Sequence, residues 1–261
     1  MTAVTAEDSA QTERQSELTR ALAAVRSRLA GAALAAGRDV GKIELLPITK
    51  FFPATDVAIL SRLGCRAVGE SREQEASAKM AELARLLAAT RQRTSREMQW
   101  HMVGQIQRKK ARAVARWAHT VHSVDSAALV TALDRAVAGA LSEQRRSNPL
   151  RVYVQVSLDG DASRGGVDIS TPGAVDEICG QVEGSRSLEL IGLMGVPPLD
   201  WEPEQAFDRL QSEHSRVRRA FPNAVGLSAG MSNDLEIAVK HGSTCVRVGT
   251  ALLGHRRLRS P

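Results

Sequence analysis

The chain is predicted to fold as a single α/β domain, a (β/α)8 TIM barrel with one extra helix at its N-terminus. Two observations lead there. Short β-type runs alternate with stretches of helical period along nearly the whole chain, and eight such runs can be counted. No linker long enough to separate a second domain interrupts them, and no internal sequence repeat is present. The predicted boundaries are a loose polar tail over residues 1–12, the barrel over 13–256 and a basic tail over 257–261.

The elements follow in order. An opening helix from about Glu13 to Gly37 places Leu18, Leu22, Val25 and Leu29 on one face. The candidate strands are Glu44–Thr49, Arg66–Gly69, Gln99–Val103, Thr120–His122, Arg151–Ser157, Leu188–Leu193, Ala224–Leu227 and Thr244–Val248. Between the first two, Val57, Leu60 and Leu63 form an apolar face, and Gly64 stands where a helix closes through a left-handed residue. Ser71 is the expected N-cap of the next helix, with Gln74 as its capping-box partner. Pro203 suits the first turn of a helix that buries Phe207, Leu210 and Val217. Gly242 ends a helix that begins near Asn233.

Composition excludes several classes. An apolar fraction of 43% supports a real core, and no apolar run is long enough to cross a membrane. The polar, acid-containing start of the chain has no apolar stretch of the kind a signal peptide needs. Cys65, Cys179 and Cys245 are widely spaced without a CxxC pair, so neither a metal site nor a disulfide frame is expected, and a reducing cytoplasm fits. The net charge of +6 raises the question of nucleic acid. The basic residues are mostly scattered, and an aromatic content of 3% leaves few platforms for base stacking. Solvated faces and a small anionic ligand are the better reading.

Chemistry concentrates after three of the strands. Lys50 directly follows the first apolar run, and in a barrel that position lies at the mouth. Ser228–Ser232 follows the seventh strand and opens a helix, so its amides favour an anion. Gly249 and Thr250 follow the eighth, combining close backbone approach with a hydroxyl donor. Phosphates bind after strands seven and eight of such barrels. A lysine after strand one with anion-binding turns after the last two is the pattern a pyridoxal 5′-phosphate (PLP) barrel requires. Arg247 ends the eighth strand, beside the first in a closed barrel, where it could lower the Lys50 pKa and face a pyridine nitrogen. His101 and Met194 end near the mouth as further candidates, although core packing is the simpler role for each. His122 and Asp125 read as loop structure, and Cys245 as a small filler of the barrel interior.

Two other motifs compete. Gly226-Leu227-Ser228-Ala229-Gly230 fits the nucleophile elbow of serine hydrolases, with Asp234 and His241 in the right order. Too little chain remains after it for the strands that normally carry the acid and the histidine, and Asp234 is better placed as a helix cap. Asp159, Asp161 and Ser163 begin like a calcium loop, but Arg164 stands where the glycine is required and Ser170 where the closing glutamate is. No metal is expected.

With these residues in place the chain resembles the YggS/PROSC family of pyridoxal phosphate homeostasis proteins, from about Glu13 to Gly254. The matching segments are Leu45-Leu46-Pro47-Ile48-Thr49-Lys50, Val68-Gly69-Glu70-Ser71 with Gln74-Glu75-Ala76, and Trp100-His101-Met102-Val103-Gly104 through Gln107 and Lys110. They continue with Gly192-Leu193-Met194, Leu227 through Asp234, and Val246 through Thr250 with Gly254. The resemblance implies an alanine-racemase-like barrel that carries PLP as an aldimine on Lys50. It implies that Ser228, Gly249 and Thr250 hold the phosphate, that Met231 and Ser232 complete the cup, and that Arg247 faces the pyridine nitrogen. Ser71, a further candidate for contact with the cofactor, replaces a usual asparagine, Lys109 another, and Arg164 a usual lysine. Racemases of this fold pair the lysine with a tyrosine from an added β-domain, whereas the single tyrosine here, Tyr153, lies inside a strand. The implied function is therefore a cytoplasmic, monomeric PLP carrier in vitamin B6 homeostasis, with apo PLP-dependent enzymes as partners and no turnover. The alternative is a PLP-dependent racemase or lyase.

Overall fold

The computed structural model describes residues 6–89 and 98–255. Among them are the strands β1 (Glu44–Pro47), β2 (Ala67–Glu70), β3 (Gln99–Met102), β4 (Thr120–Val124), β5 (Leu150–Ser157), β6 (Val167–Asp168), β7 (Leu188–Met194), β8 (Gly226–Ser228) and β9 (Cys245–Val248). Eight of these form a parallel sheet in the order β1-β9-β8-β7-β5-β4-β3-β2, and β6 pairs only with β5. The sheet closes into a barrel where Ile48 bridges Gly69 and the Thr49 amide donates to the Gly69 carbonyl at 2.9 Å. The eight expected barrel strands are thus all present. The short β6 was not anticipated, because two residues are too few to carry a period.

The helices are α1 (Ala6–Ala35), α2 (Ala54–Arg62), α3 (Glu73–Ala89), α4 (Ala111–Trp117), α5 (Ala127–Ser142), α6 (Pro172–Glu183), α7 (Pro203–Ala220), α8 (Leu235–Lys240) and α9 (Thr250–Leu253). α1 starts at Ala6 rather than near Glu13. Residues 1–5 and 257–261 of the expected tails lie outside the described residues. α1 buries Leu18, Leu22, Val25, Leu29 and Ala33 at helical spacing against α8 and α9. Gly64 and Gly242 close their helices with φ of +84° and +91°, as their positions required. α3 begins at Glu73, so Arg72 and not Ser71 immediately precedes it; the expected Ser71 cap is displaced by one residue.

Alternation along the strands sorts the core into shells. Val68, Trp100, Val246 and Val248 point outward and pack with α1, α2 and α9, while Met102, Val121, Val152, Leu193 and Leu227 pack under α4 to α7. Leu46, Ile48, Ala67 and Cys245 form one inward cluster, and Tyr153, Ile191 and Met194 another. The rest of the interior is polar: His101, His122, Ser228 and Arg247 are all buried there. Crowding inside the barrel explains one glycine pair. A Cβ on Gly192, whose φ is +151°, would lie 1.8 Å from the Gly226 carbonyl oxygen, so only glycine allows β7 and β8 to approach as they do.

Candidate functional site

The C-terminal ends of β1, β8 and β9 bring three sequence-distant segments to one mouth. Leu46 and Ile48 point inward, and the same parity directs Lys50 toward the barrel opening. The lysine is solvent-exposed, and its Nζ lies 5.9 Å from the Phe51 ring centroid. Phe51 adopts φ +70°, an uncommon left-handed conformation for an aromatic residue. That turn is held from beneath. The Glu75 carboxylate accepts the Phe51 amide at 2.5 Å, the Thr49 hydroxyl donates to Glu70 Oε1 at 2.6 Å, and Lys79 Nζ donates to the Thr49 carbonyl at 2.8 Å. Lys79 also meets Glu70 Oε1 at 2.6 Å and Glu75 Oε1 at 3.3 Å. Burial pushes the Glu70 carboxyl upward, against the opposing pull of the Lys79 ammonium. Glu70 and Glu75 lie in the segments that resemble the family but carry no role in the sequence alone, and neither does Lys79. The i,i+4 spacing of Glu75 and Lys79 on α3 was the available signal.

The two anion loops are joined directly. The Arg247 amide donates to the Gly230 carbonyl at 2.9 Å, and the Ala251 amide to Ser232 Oγ at 3.2 Å. Gly230 has φ +91°, and a Cβ there would stand 2.5 Å from the Ala238 methyl carbon. Asp234 precedes α8 and accepts the Met231 amide at 2.5 Å, and Arg28 of α1 donates to the Ser232 carbonyl at 3.0 Å. Gly249 and Thr250 open α9 beside this loop, and Met231 is exposed at its tip. Ser232, Met231, Gly249 and Thr250 therefore share one rim.

Ser228 lies elsewhere. It is fully buried, and its Oγ accepts from Arg247 Nη1 at 2.6 Å and lies 2.8 Å from His122 Nδ1. The inward pleat of β8 directs this hydroxyl into the barrel interior, toward Arg247 and His122, rather than to the rim where the other phosphate candidates stand. Arg247 Nη2 also donates to the Gly195 carbonyl at 3.1 Å. His101 is buried inside the barrel, with Nδ1 3.0 Å from His122 Nε2. Met194 is buried with Tyr153 and Ile191. His122, expected as loop structure, is instead an inward residue of β4, stacked on Tyr153 with ring centroids 4.6 Å apart. Burial, reinforced by neighbouring cations and imidazole, holds both histidines neutral: His101 falls to about 3, and His122 is pushed well below its ordinary range. Burial likewise pushes the Tyr153 hydroxyl upward.

The competing motifs do not assemble. Ser228 is not among the described residues with positive φ, which a strained elbow would require. His241 faces Gln211 at 2.9 Å and Glu204 at 3.1 Å, away from the barrel interior. Asp159 and Asp161 turn onto backbone amides of their own loop, and no metal-binding cluster occurs among the described residues. Arg164 Nη2 donates to the Pro197 carbonyl at 2.7 Å, stitching two loops. Ser71 is half-buried, its backbone pressed against Gly104.

The geometry has counterparts among known proteins. The model of the family described as alanine racemase, N-terminal domain, matches residues 21–257. A protein of Mycobacterium tuberculosis named pyridoxal phosphate homeostasis protein is 77% identical over 253 residues, covering 97% of this chain and 98% of the relative. The structure of PipY from Synechococcus elongatus with PLP bound superposes with a TM-score of 0.74 at 30% identity, covering 91% of this chain and 100% of PipY. Alanine racemase of Corynebacterium glutamicum shares the barrel fold, with a TM-score of 0.60 at 15% identity over 93% of this chain and 62% of the racemase. The chain therefore belongs to the alanine racemase N-terminal domain family and, within it, to the pyridoxal phosphate homeostasis proteins.

Proposed function

We propose that this chain binds PLP at the barrel mouth and serves PLP homeostasis as a carrier in the cytoplasm, without turning over a substrate. The observation that carries the reading is the convergence of Lys50, the 230–232 loop and the Gly249–Thr250 turn at one barrel mouth, with Arg247 buried inside it, from strands far apart in sequence. The donor set fits the cofactor: a primary amine for an aldehyde, backbone and hydroxyl donors for a dianion, and a guanidinium for a ring nitrogen. PipY, solved with PLP bound, supports the assignment.

When bound, the cofactor supplies an electrophilic aldehyde and an aromatic ring able to delocalise charge. Lys50 is the covalent anchor, kept accessible at the mouth by the clamped turn beneath it. Ser232 and Thr250 offer hydroxyls to the phosphate beside the loop amides. Arg247 donates a hydrogen bond and keeps its proton, since a guanidinium does not deprotonate in proteins. Tyr153 is stacked inside the barrel and cannot serve as a second acid–base group opposite Lys50. A site with one half of the acid–base pair holds the cofactor but does not invert a substrate carbon. The carrier is proposed to act as a monomer. Apo PLP-dependent enzymes are the natural recipients.

The test is chemical. Borohydride treatment of the PLP-loaded protein should leave a pyridoxyl adduct on Lys50, located by mass spectrometry, and Lys50→Ala should abolish it while the fold persists. An adduct on Lys79 or Lys240 would sink the assignment. Steady racemisation of alanine or serine that disappears in Lys50→Ala would replace the carrier with an enzyme.

A further inference from the structure

The barrel interior holds a line of polar groups that the site as described does not use. Arg247 Nη1 lies 2.6 Å from Ser228 Oγ, Ser228 Oγ 2.8 Å from His122 Nδ1, and His122 Nε2 3.0 Å from His101 Nδ1. His101 Nε2 then stands 3.9 Å from Glu44 Oε1 and has no hydrogen-bond partner among the described residues. The line spans β9, β8, β4, β3 and β1, from the mouth to the opposite end of the barrel. Arg247, Ser228, His122 and His101 are each at most 6% exposed.

We propose that His122 and His101 are positioning residues of the cofactor site, holding the Arg247 guanidinium through Ser228 by a hydrogen-bond chain that runs in one direction. The direction follows from donor chemistry. A guanidinium only donates, so Ser228 Oγ accepts from Arg247. The serine proton is best spent on His122 Nδ1, since the alternative neighbour, the Cys245 thiol, is a weak acceptor. His122 then carries its proton on Nε2 and donates to His101 Nδ1. His101 in turn carries its proton on Nε2, directed at the Glu44 carboxyl. The opposite direction would aim the lone pair of His101 at that oxygen and leave the serine proton to sulfur.

Each bond in such a chain polarises the next, and in a dry interior the effect is not screened. Tyr153 stacked on His122 keeps the imidazole from turning. The guanidinium is fixed at its other edge by the Gly195 carbonyl. An arginine side chain otherwise has many rotamers, and immobilising it before the ligand arrives removes that cost from binding. The charged and titratable groups around the line do not favour an imidazolium within it. His101 faces His119, Arg151, Glu44 and His122, and His122 faces His101, Tyr153, Arg151 and Arg247. Burial and the nearby cations outweigh the single carboxyl.

The positioning role rests on Arg247 meeting the ring nitrogen of the proposed cofactor, and two measurements separate that reading from the hydrogen-bond chain itself. Nitrogen-15 NMR of the labelled full-length protein reads the tautomer of each of its six histidines. Two of them, assigned to His101 and His122 by His101→Asn and His122→Asn, should be neutral and protonated on Nε2 from about pH 5.5 to 8.5. An Nδ1-protonated or cationic ring at either position overturns the chain, whatever the cofactor does. The second measurement compares retention of PLP with that of its 1-deaza analogue, in which carbon replaces the ring nitrogen. His122→Leu should weaken PLP on the order of tenfold, as expected for a disturbed hydrogen bond to a charged donor, and leave the analogue nearly unchanged. His122→Asn, whose side-chain oxygen can still accept from Ser228, should recover most of the loss. Equal losses for both ligands, or none for PLP, would overturn the positioning role. A wild-type protein that takes no PLP onto Lys50 would instead overturn the cofactor reading and leave the tautomers to judge the chain.

Discussion

Lys79 Nζ lies 2.6 Å from Glu70 Oε1 with neither side chain open to solvent, and the same ammonium donates to the Thr49 carbonyl one residue before Lys50. A buried ion pair is thereby made into a strut for the anchoring lysine. Removing Lys79 strands the buried Glu70 carboxyl, and removing Glu70 leaves the buried ammonium only the longer contact to the part-exposed Glu75 at 3.3 Å. Glu70→Leu or Lys79→Met should each destabilise the protein by about 3–5 kcal/mol. The double variant Glu70→Leu/Lys79→Met should lose much less than the sum, because no charge is stranded. Urea denaturation of the three variants measures this, and simple additivity would show that the pair is not coupled.

Ser228 and Ser232 should separate by mechanism. Ser232→Ala removes a hydroxyl from the rim and should weaken PLP by roughly tenfold to a hundredfold, the range of about 1.5–3 kcal/mol for a hydrogen bond to a charged group. The same change should do little to binding of pyridoxal, which lacks the phosphate. Ser228→Ala sits behind Arg247 and should weaken PLP and pyridoxal alike. Competition measurements with both ligands distinguish the two serines, and a phosphate-selective loss in Ser228→Ala would return that residue to the phosphate cup.

Neutral buried histidines make stability depend on pH. The folded pKa of His101, about 3, and of His122, also depressed, lie below the unfolded value near 6.5. The unfolded chain therefore binds protons that the folded one does not as pH falls below about 6.5. Stability from these groups is fully present above that pH and is lost on acidification, by roughly 1.4 kcal/mol per pH unit for each group. The urea midpoint should decline between about pH 6.5 and 5, and less steeply in His101→Asn. A midpoint that is flat through this window would mean that the imidazoles take up protons in place.

Gly230 meets two constraints at once. Its φ of +91° is unfavourable for any residue with a Cβ, and a methyl there would press on Ala238 at 2.5 Å. Gly230→Ala should cost on the order of 2 kcal/mol in stability. It should also loosen phosphate binding, because the Gly230 carbonyl is the contact that ties this loop to Arg247. Thermal denaturation and PLP titration check the two effects, and wild-type behaviour in both would show that the loop has room to shift.

The sequence by itself determined the architecture. Eight apolar runs of strand length separated by helical periods admit few arrangements other than a parallel barrel, because parallel strands must be covered on both faces. Lys50, Arg247 and the Ser232 and Thr250 turns were legible for a related reason: each stands at the end of a run, and barrel topology sends every such end to the same mouth. Where alternation rather than position decides, the reading was less complete. Ser228 stands at the end of a run like the others, yet its pleat turns it inward to Arg247 and His122. His122 was read as loop because its strand, five residues long, continues past the imidazole through a register shift. Glu70 and Lys79 are nine residues apart on different elements, and only the packing of α3 against β2 makes them partners. Local pattern encodes which face a residue presents. Which groups meet across that face depends on strand order, register and barrel closure, and these are properties of the whole chain.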